Sequence, residues 1–323
     1  MQIRQLRHFL AAVDTGSMTQ AARDQNVTQP TLSRSIRMLE MGLKVDLLER
    51  LASGVLPTRY GQVLAEHART IVNGIDHARE DVAGLRAGRM GHVRLGLGES
   101  ALMPAVARAI GEISARHADL QISLDYDLQE NQIARLRRGE IDAIIDLRRR
   151  DLETQDLEFQ KLAQVSFVVL ARPEHPLAGR EMVTRAQLSR AAWAILDQPG
   201  AERFYRMVLG PEENAGRIRL RCSAPAMLRM LAQQGDVLVM QARLAGSPDS
   251  DIAPLVQIAT DMPPMQTDLC VITRGRAQMT GALRLAMQHI GRALAQHVGE
   301  QEKGATPSHV RNGRASRETA SEG

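Results

Sequence analysis

Aromatic residues are scarce in this chain, whose 323 residues include four Phe, three Tyr and one Trp. A hydrophobic core must therefore consist mainly of Leu, Ile, Val, Ala and the 15 Met. The two cysteines, Cys222 and Cys270, form no C-x-x-C pair, which excludes a disulfide framework and a cysteine zinc cluster. The N-terminus has no signal-peptide pattern, and no run of about 18 apolar residues occurs. We therefore expect a cytoplasmic protein that neither spans a membrane nor is secreted.

The overall composition is that of a folded globular protein, with 44% hydrophobic and 24% charged residues. At about 150 residues per domain, the length predicts two domains. The positive charge is concentrated near the N-terminus. Residues 1–60 contain eight Lys and Arg against five Asp and Glu, whereas residues 92–298 contain 25 against 24. A basic N-terminal module on a neutral body predicts a polyanionic partner for that module.

The N-terminal residues follow the pattern of a helix-turn-helix. Apolar side chains recur at helical spacing over residues 3–14, and a second, short helix is predicted over residues 18–24. Asn26 accommodates a left-handed turn, after which Thr28 caps a third helix. Three apolar side chains of that helix are spaced to face inward: Leu32, Ile36 and Leu39. This spacing fits a DNA-binding helix-turn-helix, and it also fits any small three-helix domain with a solvated polar face.

The residues of this segment resemble the DNA-binding domain of LysR-type transcriptional regulators. The matching run is LRHFLAAVDTGSMTQAARDQNVTQPTLSRSIRMLE. Its family-like features are Phe9, Gly16-Ser17, Ala21-Ala22, Thr28-Gln29-Pro30, Ser33 and Leu39-Glu40. The later segments LLER (47–50) and PTRYG (57–61) resemble the family's Leu-Phe-x-Arg and its wing. Two positions depart from the family pattern, since Lys44 replaces a usual Gly and Leu48 a usual Phe.

The resemblance implies an N-terminal all-α winged helix-turn-helix over residues 1–60 that binds an interrupted palindrome in double-stranded DNA. At Lys44 the helix must end without the glycine that makes a positive φ easy. RNA polymerase is a further partner that the family suggests. The predicted DNA-contacting residues are Ser17, Thr28, Gln29, Pro30, Thr31, Ser33, Arg34, Arg37, Arg50, Pro57 and Thr58.

A long amphipathic helix is predicted over residues 61–91, where glycines 84, 88 and 91 mark its end. The apolar positions alternate in steps of four and three, as in a coiled-coil seam. They are Leu64, Ala68, Ile71, Ile75, Ala78, Val82 and Leu85. A surface helix that packs on its own domain has the same spacing. The LysR-type resemblance implies a linker helix that dimerises, and hence a homodimer or homotetramer.

From residue 92 strands and helices alternate, which predicts a mostly parallel α/β sheet. Helices are expected at 102–117, 130–138 and 283–298. Strands are expected at 92–97, 120–126, 141–145, 165–170, 193–196, 218–221, 237–240 and 269–273. The resemblance implies an effector-binding domain over 92–298, with two lobes like those of type II periplasmic binding proteins (92–164 with 267–298, and 165–266). The polar residues 299–323 are predicted to be a disordered tail.

A short motif, Gly96-Leu-Gly98-Glu-Ser-Ala101, follows the first strand and matches the G-x-G-x-x-A phosphate cradle of dinucleotide-binding folds. No acidic residue follows at the expected distance of about 20 residues, so we do not infer nicotinamide binding. Ser100 and the start of a helix near Leu102 instead predict a site for an anionic effector, an organic acid. The predicted effector contacts are Gly98, Ser100, Ala101, Asp146, Arg148, Pro199, Ala201, Arg203 and Gly235.

Motifs of catalysis are missing: the chain has no H-E-x-x-H, no H-x-x-E-H and no G-x-S-x-G. We therefore expect no enzyme activity, no cofactor and no metal. Cys222 and Cys270 fall in strand-like segments, which favours buried structural thiols over redox sensors. Two alternatives to a LysR-type regulator are a ligand-binding oxidoreductase with an appended DNA-binding domain and an exported solute-binding protein. The absence of an export signal argues against the second.

Overall fold

The N-terminal helices begin and end where their capping residues predict. The computed structural model describes residues 1–149, 152, 154–198, 200–209, 217–244, 247, 251–275 and 279–304. Helix α1 spans Ile3–Thr15, α2 spans Met18–Asp24 and α3 spans Gln29–Leu43. Thr28 accepts a hydrogen bond from the Thr31 N–H, and Asn26 makes the predicted left-handed turn at φ 55°. Lys44 ends α3 at φ 58°, which confirms that a lysine occupies the conformation that glycine adopts most easily.

A two-stranded hairpin and a long helix complete the N-terminal domain. The hairpin pairs β1 (Leu48–Leu51) with β2 (Gly54–Pro57), and α4 spans Arg59–Arg86. The Val55 N–H donates to the Gly16 carbonyl at 2.9 Å, which fixes the hairpin on the turn between α1 and α2. A Cβ atom at Gly61 would lie 2.1 Å from the Leu47 carbonyl oxygen. The glycine of the PTRYG segment is therefore required by the close approach of α4 to the hairpin.

The C-terminal domain begins with the predicted alternation of strands and helices. Its first elements are β3 (Gly91–Leu97), α5 (Pro104–Arg116), β4 (Leu120–Tyr126), α6 (Gln129–Arg137) and β5 (Ala143–Leu147). A 3₁₀ turn over Glu99–Ala101 connects β3 to α5. Strand β3 lies between β4 and β5 and is parallel to both. This part has the parallel β-α-β arrangement that the sequence predicts.

The remaining elements include several that the sequence analysis did not predict. They are β6 (Glu158–Ala171), α7 (Arg185–Arg190), β7 (Ala192–Leu196), α8 (Ala201–Leu209), β8 (Arg217–Cys222), α9 (Pro225–Gln234), β9 (Val239–Leu244), β10 (Val256–Ile258), β11 (Met265–Thr273) and α10 (Gly281–Gly304). The prediction missed α7, α8, α9 and β10, and it placed β6 as a strand of less than half its length.

The prediction of a mostly parallel sheet is wrong. The strands lie in the order β10, β6, β11, β5, β3 and β4, and β9 also pairs with β6. Strand β11 is antiparallel to both β5 and β6, and β6 is antiparallel to β9 and β10. The reason is that β11 returns from the far end of the chain and inserts between β5 and β6. Neighbouring parallel strands are usually joined by a crossover helix, and no such direct connection joins β11 to β5 or β6.

Clusters of buried apolar residues divide the C-terminal domain into two lobes, with two clusters in each. The first-lobe core packs β3, β5 and β11 against α5 and α10. The second-lobe core surrounds Trp193, which is fully buried, and includes residues of β7, β9 and α8. Strand β6 pairs with β11 along its first half and with β9 and β10 along its second half. The same strand therefore takes part in both lobes.

The C-terminal helix is longer than predicted, since α10 continues to Gly304 instead of ending at residue 298. The first six residues of the predicted disordered tail are therefore helical. The rest of that tail, residues 305–323, lies outside the described part of the chain. Among the residues that the structure describes, no helix is long and apolar enough to cross a membrane.

Candidate DNA-binding surface and effector cleft

The exposed face of α3 carries polar residues that the sequence predicts as DNA contacts. On the opposite face, Leu32, Ile36 and Leu39 are at most 1% exposed and belong to the core of the N-terminal domain. The exposed predicted contacts on or next to α3 are Thr28, Gln29, Pro30, Thr31, Arg34 and Arg37. Because the buried residues fix the orientation of the helix, the predicted contacts share one solvent-facing surface.

The cations on this surface are free of carboxylate partners. Arg34, Arg37 and Arg50 are exposed, and none forms an ion pair within the described residues. By contrast, Arg7 pairs with Asp76 and Arg69 with Asp14, which fastens α1 to α4. The positive charge that is available to a polyanion therefore lies beside α3 and on the hairpin, as phosphate and base recognition require.

Three hydroxyls that the sequence predicts as DNA contacts cap helices. Ser17 accepts from the Gln20 N–H and Thr28 from the Thr31 N–H, so both stabilise helix starts. The Thr58 hydroxyl accepts from the Gly61 N–H at 3.1 Å and donates its proton to the Asp46 carbonyl at 2.7 Å. The hydroxyl proton of Thr58 is therefore engaged within the protein, and its contact with DNA stays a prediction. Pro57 is half-buried at the end of β2.

The predicted dimerisation seam is only partly exposed in one protomer. Ala68 is fully buried in the core of the N-terminal domain, and Leu64 and Ile75 are half-buried. The remaining seam positions are exposed, with relative exposures of 40% for Ile71, 59% for Val82 and 68% for Leu85, and Ala78 is also exposed. The first turns of α4 therefore pack on their own domain, whereas its second half presents apolar side chains to solvent.

The middle of α4 is joined to the first lobe by polar contacts. The Asn73 side chain donates to the Arg138 carbonyl at 2.8 Å, and the Thr70 hydroxyl donates to the Arg137 carbonyl at 3.1 Å. Both carbonyls lie at the C-terminal end of α6. Further along α4, Glu80 pairs with Arg94 of β3. These contacts fix the linker helix to the effector domain of the same chain.

A cleft of about 210 Å³ opens between the two lobes. Its walls come from the residues that follow the carboxyl ends of β4, β7 and β8: Tyr126, Asp127, Leu128, Leu196, Asp197, Gln198 and Ser223. Gln198 connects the lobes because its side-chain amide donates to the Glu99 carboxylate at 3.2 Å. Concave sites at the carboxyl ends of strands are common ligand sites in α/β folds.

Ser100 lies beside this cleft but is not the helix-terminal anion site that the sequence predicts. It belongs to the 3₁₀ turn, and α5 begins only at Pro104. The backbone N–H groups that follow Ser100 are occupied by hydrogen bonds within the turn. Those of Ala101, Leu102 and Met103 donate to the carbonyls of Gly98, Glu99 and Ala101. They are not free to bind a carboxylate, so this part of the prediction is wrong.

The electrostatics of the cleft also oppose an anionic ligand near Ser100. Burial raises the pKa of Glu99 to about 7, and the neighbouring Asp146 adds to this rise. Burial likewise raises the pKa of Asp146 to about 6. Burial and the nearby carboxylates, Glu99 first, raise the pKa of the Tyr126 phenol. A carboxylate placed here would raise the pKa of both groups further, so it would bind only at the cost of protonating them.

The other predicted effector contacts that the structure describes lie at different places in the domain. Gly98, Ala101 and Asp146 lie together around the 3₁₀ turn, and Ala201 is buried at the start of α8. Arg148 lies over the ring of Phe159, with its guanidinium carbon 5.3 Å from the ring centroid.

The last predicted contacts are Gly235, Pro199 and Arg203, of which Gly235 does not line the cleft. Gly235 ends α9, a ten-residue helix that begins two residues after the cleft residue Ser223, so Gly235 lies about 15 Å away along that helix. Its contact with the effector stays a prediction. Pro199 lies outside the described residues, as does the side chain of Arg203.

Sequence reasoning missed Glu99, Tyr126 and Ser223, whereas Gln198 lies in the predicted contact loop that runs from residue 197 to 203. Tyr126 ends the predicted strand 120–126, and Ser223 lies two residues after the predicted strand 218–221. A rule that the residues at and just after the carboxyl end of each strand of an α/β domain are candidates would have found these two. Glu99 lies within the G-x-G-x-x-A motif, which is defined by its glycines and carries no signal for the residue that follows the second glycine.

Two family models match the chain. The model described as "Bacterial regulatory helix-turn-helix protein, lysR family" matches residues 3–62. The model described as "LysR substrate binding domain" matches residues 86–295.

Related proteins and structures agree with the family models. The SDS degradation transcriptional activation protein of Pseudomonas sp. (strain ATCC 19151) is 32% identical over 240 residues, which are 74% of this chain and 78% of that protein. The fold is similar to that of the LysR family transcriptional regulator CbnR, with a TM-score of 0.63 and 17% identity over 91% of this chain and 99% of that one. Full-length CbnR in complex with its target DNA gives a TM-score of 0.62. On the evidence of both family models and of this relative, the chain belongs to the LysR family of bacterial transcriptional regulators.

Proposed function

We propose that α3 is the recognition helix, and that Arg34 makes a base contact in the major groove of an interrupted palindrome. The observation that carries this proposal is the surface of α3, where Arg34 and Arg37 are exposed and have no carboxylate partner among the described residues. In helix-turn-helix proteins the N-terminal half of the second helix contacts base edges. CbnR, which has a similar fold, has been crystallised with its target DNA.

Arg34→Ala tests this proposal in a gel-shift titration on a duplex that the wild-type protein selects from a random pool. Loss of a good side-chain-to-base contact costs about 1–3 kcal/mol, which is roughly a 5- to 150-fold rise in Kd. Binding to unselected DNA should weaken much less. Arg116→Ala, which removes an exposed arginine at the end of α5, is the matched control and should change neither affinity. Equal losses on both duplexes would make Arg34 a phosphate contact.

We propose that two chains pair through α4, within the division into residues 1–60, 61–91 and 92–298. The support is the second half of α4, where Ile71, Ala78, Val82 and Leu85 leave an exposed apolar stripe on one protomer. Apolar side chains at a spacing of 3.5 residues are buried when two helices pair. Two recognition helices held in this way match the two halves of a palindrome.

We propose that the cleft between the lobes binds the small-molecule effector, and that the group facing Glu99 is a hydrogen-bond donor. The sequence favours an organic acid, but the positions of Glu99, Asp127, Asp146 and Asp197 in and around the cleft favour an amine, amidine or amide. A buried carboxyl group is stabilised by a donor and destabilised by a second carboxylate. Closing the cleft on such a ligand would alter the position of α4 through the first lobe.

Propylammonium and propionate are a matched pair of probes for the cleft, since they are similar in size and opposite in charge. We expect propylammonium to raise the melting temperature of the full chain, and Glu99→Gln to reduce this rise severalfold. Asp119→Asn, which removes a surface carboxylate outside the cleft, is the control. A rise with propionate alone would restore the organic acid as the effector class.

We also propose that the chain is a regulator without enzyme activity that works in the cytoplasm. The support is that its relatives are named as transcriptional regulators and that DNA is its partner. Measurable turnover of any cleft ligand by the purified chain would overturn the first part.

A further inference from the structure

A hydrogen bond ties the hairpin to α3 on the surface proposed to meet DNA. Arg50 lies on β1, where it pairs with Val55 of β2. Its Nη2 donates to the Ser33 hydroxyl oxygen at 3.1 Å. Ser33 is half-buried on α3, next to the buried Leu32, so its side chain has little freedom. The contact joins two elements that are 17 residues apart in sequence.

The partners around this pair restrict what each group can still bind. Arg50 is exposed and makes no ion pair among the described residues, and Glu40, the acid at the end of α3, accepts from the Leu47 and Leu48 N–H groups instead. Among the described residues, Ser33 makes no hydrogen bond to the carbonyl four residues earlier in α3, that of Gln29. The hydroxyl proton of Ser33 is therefore not used within the part of the chain that the structure describes.

The chemistry of a hydroxyl then determines what kind of group Ser33 can bind. A serine hydroxyl has one proton and two lone pairs. Arg50 occupies one lone pair, and its permanent positive charge disfavours the approach of a second donor. What remains is the proton, which can only be donated to an acceptor. In the major groove the acceptors are the N7 and O6 atoms of guanine, N7 of adenine and O4 of thymine.

We propose that Arg50 and Ser33 act as one unit, in which Arg50 is a positioning residue that makes Ser33 a donor-only reader of an acceptor on a base edge. The inference rests on the proposed role of α3 as recognition helix. It goes beyond that role because it assigns the chemical class of the group that Ser33 contacts and gives Arg50 a function at the base rather than at the phosphate.

The test is to repeat the DNA selection from a random pool with full-length variants. Ser33→Ala and Arg50→Gln should lose base preference at one and the same position of each half-site and keep the other positions. Arg50→Lys retains a charged donor and should keep that preference. Ser35→Ala is the matched control, since Ser35 lies roughly 200° around α3 from Ser33. Thermal melting of each variant checks that the fold is intact.

Affinity measurements on the wild-type-selected duplex complete the test. Each single variant should raise Kd roughly 5- to 150-fold, the usual value of a lost base contact. The Kd of the double variant should exceed the higher of the two single-variant Kd values by no more than about threefold. Replacing the base at the affected position by an analogue that lacks the major-groove acceptor, such as the 7-deaza analogue for a purine N7, should weaken binding by the wild type but not by Ser33→Ala.

Three results would overturn the inference. The variants could lose preference at different positions, they could weaken all sequences equally, or a neutral methylphosphonate linkage could abolish the effect of Ser33→Ala. The last result would make the acceptor a phosphate oxygen. A failure of the recognition-helix proposal itself looks different, since Arg34→Ala would then also leave the selected sequence unchanged.

Discussion

The close approach of Asp146 to Gly98 makes Gly98→Ala a sensitive test of the packing in the first lobe. A Cβ atom at Gly98 would lie 1.9 Å from the Asp146 carboxyl carbon and 2.0 and 2.3 Å from its two oxygens. The backbone at Gly98 has φ −75° and ψ 168°, which any residue adopts without strain. The whole cost of the substitution is therefore the displacement of the Asp146 side chain.

The magnitude follows from how firmly that side chain is held. Asp146 is 8% exposed, and one of its oxygens accepts the Leu147 N–H at 2.8 Å. Overpacking a filled site costs about 1–3 kcal/mol. Losing the hydrogen bond as the carboxyl moves away adds about 1 kcal/mol. We therefore expect Gly98→Ala to lower the free energy of unfolding by about 2–4 kcal/mol, measured by urea unfolding followed by far-UV circular dichroism.

Two further variants make the result interpretable. Gly111, on α5, has no atom within 4 Å of its would-be Cβ, so Gly111→Ala should stabilise the protein by up to about 1 kcal/mol. In a protein that already carries Asp146→Ala, adding Gly98→Ala should cost little further free energy of unfolding. If the effects of the two substitutions on the free energy of unfolding are additive, or if Gly98→Ala leaves the urea midpoint unchanged, the Asp146 side chain does not fill the space beside Gly98.

Three more outcomes are expected. Ile71→Asp with Ile75→Asp places charges at one exposed and one half-buried position of the predicted seam of α4 and should give smaller species in sedimentation, whereas an unchanged mass would refute pairing through α4. Lys44→Gly removes the free-energy cost of the left-handed conformation, about 1–2 kcal/mol. It also makes the unfolded chain more flexible, which lowers the free energy of unfolding by about 0.4–1 kcal/mol. The urea midpoint should therefore rise slightly, and a fall would contradict this balance. Asp146 has its pKa raised from 3.8 to about 6 in the folded protein, so its stabilising contribution is complete below the unfolded pKa and is lost as pH rises through 6. Between pH 4 and 8 the free energy of unfolding should fall by about 2 kcal/mol less in Asp146→Asn than in the wild type.

The N-terminal domain was predictable because its signals are local. Hydrophobic spacing sets the buried face of α3, and capping residues set where α2 and α3 begin. Asn26 and Lys44 take the left-handed conformations that the helix ends require, at φ 55° and 58°. Each inference uses residues within about five positions of one another, so no tertiary information is needed.

The sheet and the cleft were less predictable because they depend on distant residues. Strand β11 lies between β5 and β6 although about 120 residues separate it from β5, and no local pattern indicates that insertion. Glu99 and Gln198 are 99 residues apart and meet only because the two lobes face each other. The raised pKa of Glu99 arises from that burial, so the acidic character of the cleft could not be inferred from composition near Ser100.

The glycines of the G-x-G-x-x-A motif show why a short motif does not determine chemistry. In a dinucleotide-binding fold, the second glycine lets the backbone approach a pyrophosphate. Here a Cβ at Gly96 would lie 2.2 Å from the Gln132 side-chain oxygen, and the Cβ position of Gly98 is filled by Asp146. The glycines serve the same physical need, close approach, but the approaching groups are side chains of the protein itself. Because one of them is a carboxyl group and Glu99 follows directly, a phosphate at this turn would be repelled, which argues against the oxidoreductase alternative on electrostatic as well as steric grounds.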